Sequence, residues 1–181
     1  MRALCLVAHP DDCAIFGYQF IMDHRDWDWH ICYLTYKPDH RRSREMAAFW
    51  NARGIETQHL GVPDRWEFVK DGLLGFDPSD ISSHLVDVCY GYDLLLTHNV
   101  VGEYKHPHHL FIHETVKHLD IPKVYFGTWP DHANRVIQIN AAPFSTDELP
   151  IHKSVIDGFD LTNWKYFVTP EAENLVKYTH E

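Results

Sequence analysis

Residues 3–17 read ALCLVAHPDDCAIFG, where an apolar run stops at His-Pro-Asp-Asp and then resumes. The run 3–8 has no polar position, which is typical of a strand buried on both faces of a parallel sheet. Residues 12–23 follow directly and suit a helix. A buried strand that leads into a helix is the first half of a β-α-β unit. This stretch therefore predicts an α/β protein with two carboxylates at the carboxyl end of its first strand.

The rest of the chain repeats this alternation of short apolar runs and helical segments. Further strands are predicted over residues 29–36, 55–61, 92–98, 121–128 and 135–140. Further helices are predicted over residues 43–54, 79–90 and 108–119, and the segment 146–159 is predicted to be helical after Pro150. Alternating strands and helices form a mostly parallel sheet with helices on both faces. We predict a single Rossmann-like α/β domain over residues 1–181, and assign no structure to the tail from residue 160 onward.

Composition limits the classes of partner. The chain has 181 residues and a formal net charge of −10, which argues against unspecific binding to nucleic acid or to anionic membranes. No apolar run approaches the ~20 residues of a membrane span, and the N-terminus does not resemble a signal peptide. Four scattered cysteines without a C-x-x-C pair are typical of buried thiols in a reducing compartment. We expect a cytoplasmic protein with a small-molecule or glycan-conjugate substrate, and leave a homo-oligomer open.

Polar groups follow four of the predicted strands. The segment His9–Asp12 follows the first strand, the Arg41–Arg44 cluster the second, Asp64 the third, and histidines 106–109 follow the strand 92–98. In open parallel sheets, ligands bind beyond the carboxyl ends of the strands. The predicted topology therefore brings these groups to one edge of the sheet.

The residue types at this edge suit a catalytic metal site. His9, Asp12 and His109 offer two nitrogens and one oxygen, a set that leaves one position of zinc open for water. Iron(II) or another divalent ion suits the same ligands nearly as well. Asp11 is then a spare carboxylate that can act as a general base. His106, expected to be protonated near neutral pH, can protonate a leaving amine or stabilise an oxyanion.

Each motif also has a purely structural explanation. An aspartate after a strand often caps the next helix, and an H-x-x-H pattern at a helix start is often a surface feature. Because the predicted topology brings both motifs to one edge of the sheet, a metal site is favoured over these structural explanations. Among the other histidines, we expect His98, His108 and His118 to lie at the surface or in packing. We expect His113 to lie behind the ligands or at the surface.

Four motifs resemble, in order and spacing, the LmbE-like or PIG-L family of zinc-dependent N-deacetylases. They are AHPDD (8–12), R-x-x-E (42–45), LGVPD (60–64) and GEYKHPHH (102–109). The resemblance covers residues 1–128, whereas residues 129–181 diverge. It implies a Rossmann-like fold and removal of the N-acetyl group from an N-acetylated amino sugar or its conjugate. An amidase for another acyl group or a thiol conjugate, and a non-catalytic sugar-binding relative, are the alternatives.

The resemblance also implies a role for each matching residue. It implies zinc held by His9, Asp12 and His109, with Asp11 as the base and His106 as its acid or oxyanion partner. It suggests Arg42 and Asp64 as substrate contacts, with Arg41 and Arg44 as rivals of Arg42.

Three positions depart from the family pattern. His108 replaces an aspartate, so the acidic contact that this residue could offer is missing. Cys13 stands where an acidic or small residue is common, and the Ser-Gln that often follows the segment 152–156 is absent. These departures affect the choice of substrate more than the chemistry.

Overall fold

Seven strands form one sheet in the computed structural model, which describes residues 1–127, 136–139, 142–162 and 164–177. They are β1 (Arg2–Val7), β2 (Asp28–Thr35), β3 (Glu56–Val62), β4 (Leu94–Thr97), β5 (Lys123–Phe126), β6 (Val136–Ile139) and β7 (Trp164–Val168). The spatial order is β3-β2-β1-β4-β5-β7-β6. The first five strands are parallel, and β7 runs antiparallel to both of its neighbours. The predicted single α/β domain with a mostly parallel sheet is confirmed.

Helices connect the strands. A π-helical turn at Cys13–Gly17 leads into α1 (Tyr18–Asp23). The other helices are α2 (Arg41–Asn51), α3 (Trp66–Val69), α4 (Pro78–Val88), α5 (Gly102–Lys105), α6 (Pro107–Val116), α7 (Lys153–Ile156) and α8 (Glu173–Lys177). Within the described ranges, no helix is both long and apolar enough to cross a membrane.

Strand β1 is buried on both faces, as its unbroken apolar sequence predicts. Alternate side chains of β1 enter different cores: Ala3, Cys5 and Val7 pack on one side of the sheet, and Leu4 and Leu6 on the other. The strand therefore lies in the middle of the sheet, between β2 and β4. Its end is the point where the strand order reverses, which is where open α/β sheets bind ligands.

The C-terminal part differs most from the expectations. The segment after residue 160 contains β7, which inserts between β5 and β6, and sequence analysis missed this strand. The helix predicted after Pro150 is present but short, as α7, and a 3₁₀ turn at Thr146–Glu148 precedes the proline. Pro150 lies between these turns and has no N–H to donate within a continuous helix. The last residue of the predicted strand 121–128 and both end residues of the predicted strand 135–140 lie outside the described residues.

All four cysteines are free and buried, as predicted. The Sγ atoms of Cys5 and Cys13 lie 3.3 Å apart beneath the His-Pro-Asp-Asp turn. Burial raises the pKa of the Cys13 thiol well above its usual range, so Cys13 is a packing residue of the turn.

Candidate active site

Three side chains converge at the end of β1. His9 Nδ1 lies 3.2 Å from Asp12 Oδ2, His109 Nε2 lies 3.2 Å from the same oxygen, and the two nitrogens are 3.4 Å apart. Ligand atoms placed tetrahedrally at ~2.0–2.1 Å from a zinc ion lie roughly 3.3 Å from one another. The spacing of these atoms therefore fits a tetrahedral metal site.

Two local structures hold this triad. In the turn after β1, the Asp12 N–H donates to the His9 carbonyl, and Asp12 Oδ2 accepts the His9 N–H at 2.7 Å. Helix α6 begins at Pro107, so His109 lies in its first turn, as the sequence predicts. Because β4 pairs with β1, the start of α6 arrives beside the turn.

Glu103 orients His109 from behind, and sequence analysis did not single it out. Its Oε2 accepts from His109 Nδ1 at 2.6 Å and from His98 Nδ1 at 2.7 Å, while Oε1 accepts the Asn99 N–H. Glu103 has a positive φ of 54°, a strained conformation that persists only where contacts hold it. A carboxylate behind a ligand histidine is a recurrent feature of metal sites, and it directs Nε2 of the ring toward the metal. The acidic residue in GEYKHPHH is the signal that could have identified it.

The charges within the triad favour a cation between its side chains. Burial raises the pKa of Asp12, but His109 and His9 outweigh it and hold that pKa well below its usual range. Burial lowers the pKa of His109, but Asp12 and Glu103 outweigh it and raise the pKa to about 10. Without a metal, a proton on His109 supplies the positive charge between these groups. A divalent cation suits the same two nitrogens and one oxygen, so the residues fit the metal that sequence analysis expects.

Other metal-capable groupings share these residues. His9 and His109 also come together with His106, and Asp12 and His109 with His98. His98 Nε2 accepts the Ala8 N–H at 3.0 Å, so this nitrogen already has a donor. His98 is therefore a buried residue that ties Glu103 to the end of β1, which goes beyond the surface or packing role expected from the sequence.

Asp11 lines the same pocket as His9 and Asp12, and it belongs to a separate hydrogen-bonded chain. Arg42 Nη2 donates to Asp11 Oδ1 at 2.7 Å, and Arg42 Nη1 donates to the Tyr36 hydroxyl at 2.8 Å. The Tyr36 hydroxyl in turn donates to Asp64 Oδ2 at 2.9 Å. The predicted base and the two predicted substrate contacts thus meet in one chain, which Tyr36 links. The rivals Arg41 and Arg44 are both exposed.

His106 differs from the expectation in its charge. Burial lowers its pKa, and the neighbouring His9, His109 and His108 lower it further, to about 2. The expected imidazolium is therefore wrong for the metal-free site. Nδ1 of His106 accepts the backbone N–H of His108 at 3.2 Å, at the start of α6. The hydrogen of the neutral His106 ring therefore resides on Nε2.

Three further histidines of the predicted site region take different positions. His108 is fully buried, and its Nδ1 lies 3.2 Å from His9 Nε2, so it does not have the surface or plain packing role expected from the sequence. The acidic contact is missing as expected, but a neutral ring occupies its place. His113 Nδ1 contacts the His98 carbonyl behind the site, and His118 is exposed.

A pocket of about 230 Å³ opens beside His9 and Asp12 of the triad. Two exposed aromatic side chains flank it, Trp66 and Tyr104. The C-terminal part adds an apolar wall, Val155 and Phe159. None of the four was predicted from the sequence, because a single exposed aromatic or apolar residue forms no recognisable pattern.

The sequence profile of the family described as PIG-L, GlcNAc-PI de-N-acetylase, matches residues 4–120. The chain belongs to this family. The PIG-L match contains all of the metal-ligand candidates and ends before β5, so the divergent part of the chain lies outside it. No curated protein sequence matches the chain.

Solved structures share the PIG-L fold at low sequence identity. A deacetylase of the teicoplanin biosynthesis pathway is 11% identical, with a TM-score of 0.57 over 94% of this chain and 99% of that one. The N,N′-diacetylchitobiose deacetylase of Pyrococcus horikoshii is 13% identical, with a TM-score of 0.53 over 94% and 84%. GalB, the 4-carboxy-2-hydroxymuconate hydratase of Pseudomonas putida KT2440, is 12% identical, with a TM-score of 0.53 over 93% and 95%. Because the same fold carries a hydratase, the reaction must be argued from the site residues.

Proposed function

We propose that this protein is a metal-dependent hydrolase that removes the N-acetyl group from an N-acetylated amino sugar or its conjugate. The observation that carries the proposal is the triad His9, Asp12 and His109 with a separate carboxylate, Asp11, beside it. A divalent metal held by the triad would lower the pKa of a water to about 7 and polarise the acyl carbonyl. Zinc is the default metal, and iron(II) suits the same ligands.

Asp11 supplies the base. Arg42 occupies Asp11 Oδ1 and fixes the plane of the carboxylate, so Oδ2 is the oxygen that receives the proton of the attacking water. The water oxygen forms the new bond to the acyl carbon. When the C–N bond breaks, Asp11 returns the proton to the departing amine, and acetate and a free amino group result.

His106 serves the oxyanion in this proposal. Sequence analysis left two tasks open for it, proton delivery and oxyanion stabilisation. A neutral ring with its hydrogen on Nε2 donates a hydrogen bond but is a weak acid, so we assign it to the oxyanion.

We assign the substrate contacts to side chains that line the pocket. Asp64 lies at the pocket and can accept hydrogen bonds from sugar hydroxyls. Trp66 offers an exposed ring face against which the apolar face of a sugar can pack. Arg42 contacts Asp11 and Tyr36 through two nitrogens, and its remaining donors can reach a substrate oxygen. A GlcNAc-type substrate, which combines hydroxyls with apolar ring faces, fits these groups.

An acetate-release screen tests the proposal. The metal-loaded protein is incubated with N-acetylated sugars, nucleotide sugars and glycolipid headgroups, and acetate and free amine are measured together. We expect equal amounts of both products from at least one N-acetyl sugar. The exposed Asp26 lies far from this edge, before β2, so Asp26→Asn is a matched control for substitutions of Asp11.

The alternatives give different results in the same screen. Cleavage of longer acyl amides without acetate release would indicate an amidase of another specificity. Sugar binding without turnover at full metal occupancy would indicate a non-catalytic relative. Either result would contradict the proposed deacetylase.

A further inference from the structure

The ring of His108 has a neighbour at each nitrogen. Its Nε2 lies 2.8 Å from the Leu74 carbonyl oxygen, and its Nδ1 lies 3.2 Å from His9 Nε2. A carbonyl oxygen only accepts, so the hydrogen between His108 and Leu74 belongs to Nε2. A neutral imidazole carries one N–H, which leaves Nδ1 of His108 as an acceptor.

The same limit of one N–H per neutral imidazole fixes the roles of the two nitrogens of His9. Because His108 Nδ1 is an acceptor, His9 Nε2 must supply the hydrogen between the two rings. His9 Nδ1 is then left with its lone pair, and this is the atom that lies 3.2 Å from Asp12 Oδ2 in the triad. The carboxylate of Asp64 is a possible rival acceptor, but it lies 4.0 Å from His9 Nε2, beyond hydrogen-bond distance.

We propose that His108 is a positioning residue, which, through the Leu74 carbonyl, fixes the tautomer of His9 that presents Nδ1 to the metal. The inference rests on the proposed metal site. Each of the two proposed ligand histidines then donates a hydrogen bond to an acceptor behind it. His109 Nδ1 donates to Glu103, and His9 Nε2 donates to His108. One acceptor is a carboxylate and the other is neutral, so His9 is oriented without a second buried charge.

A second cation is the main rival to this assignment. His9, Asp64 and His108 could together hold an ion. That arrangement would require lone pairs on both nitrogens of His9 if the first metal were also bound, which means loss of both ring protons. A shared proton at 3.2 Å needs no such ionisation, so the geometry favours the hydrogen bond.

Two substitutions of nearly equal shape test the acceptor. His108→Asn keeps an oxygen near the position of Nδ1, and an amide oxygen always accepts. His108→Leu replaces it with a methyl group. We expect metal affinity, measured by competition with a chelator, to fall roughly 10–100-fold in His108→Leu and to stay within a few fold of wild type in His108→Asn.

Thermal unfolding of the metal-free variants separates lost folding from lost metal binding. Equal affinities of the folded Leu and wild-type proteins would overturn the proposal. Uptake of two metal equivalents by wild type and one by both variants would also overturn it, because the His108 lone pair would then bind a metal.

Nitrogen-15 spectra of the histidine rings test the tautomers directly, without a substrate. We expect the hydrogen of His108 on Nε2 in both the metal-free and metal-loaded protein, and His9 bound to metal through Nδ1. A hydrogen on His108 Nδ1 would overturn the assignment. If wild type bound no metal, the proposed function would fail while the metal-free spectrum still decided the tautomer of His108.

Discussion

The part of the chain that ends at α6 and the part after β5 contribute different things to the same pocket. The first part supplies the polar groups to which we assign chemistry, and it places them at the ends of parallel strands. The second part supplies the apolar wall of Val155 and Phe159. The difference suggests that reaction and substrate size are set by separate segments, since changes in the wall need not disturb the ligands.

Glu45 makes one of several contacts that join the two parts. Glu45 in α2 accepts the backbone N–H groups of Ile151 and His152, and also contacts His152 Nδ1 at 2.6 Å. Arg42, which holds Asp11, lies one turn earlier on the same helix. Helix α2 therefore positions both Asp11, the proposed base, and the start of the apolar wall.

Loss of a ligand in the first part should have the largest effect. His109→Ala removes a nitrogen that lies beside Asp12 Oδ2, and we expect metal content to fall from about one equivalent to near zero, with loss of acetate release. Metal analysis of the purified protein checks this, with His118→Ala, an exposed histidine beyond α6, as the control. Retention of one equivalent by His109→Ala would show that another grouping holds the metal.

Weakening the support behind a ligand should have a smaller effect. Glu103→Gln keeps the size of the side chain but removes the charge that holds His109 and His98. We expect a fall in metal affinity of about 10–100-fold, measured by chelator competition. An unchanged affinity would mean that Glu103 serves only the fold.

The pH dependence of stability should differ with and without metal. The pKa of His109 in the metal-free protein is about 10, above its ordinary value of 6.5. A raised pKa means that the protonated pair with Asp12 stabilises the fold fully below pH 6.5 and loses this contribution as pH rises through about 10. Urea unfolding should therefore show this loss for the metal-free protein and a weaker one for the metal-loaded protein. Parallel curves for both forms would contradict the role of His109 as a ligand.

Substitution in the second part should change selectivity and spare the metal. Phe159→Ala enlarges the wall of the pocket, and we expect kcat/KM for longer acyl amides, relative to acetyl, to rise by about fourfold per added methylene that it buries. Metal affinity should remain that of wild type. A loss of metal binding in this variant would contradict the assignment of metal binding to the first part alone.

The sequence predicts the first part well because local patterns determine it. Apolar runs without alternation mark β1 and β4, and the rule that parallel strands end at one edge brings His9, Asp12 and His109 together. Glu103 and His108 could not be placed, because their roles depend on which atoms face them after folding. The insertion of β7 between β5 and β6 depends on pairing between distant segments, for which the local sequence has no signal.

The most direct test of the account separates the base from the ligands. Asp11→Asn removes the proton acceptor but leaves the triad of His9, Asp12 and His109. We predict that this variant binds about one equivalent of metal, as wild type and Asp26→Asn do, while kcat for acetate release falls by roughly 10²–10⁴-fold. Full deacetylase activity of metal-loaded Asp11→Asn would contradict the proposed mechanism.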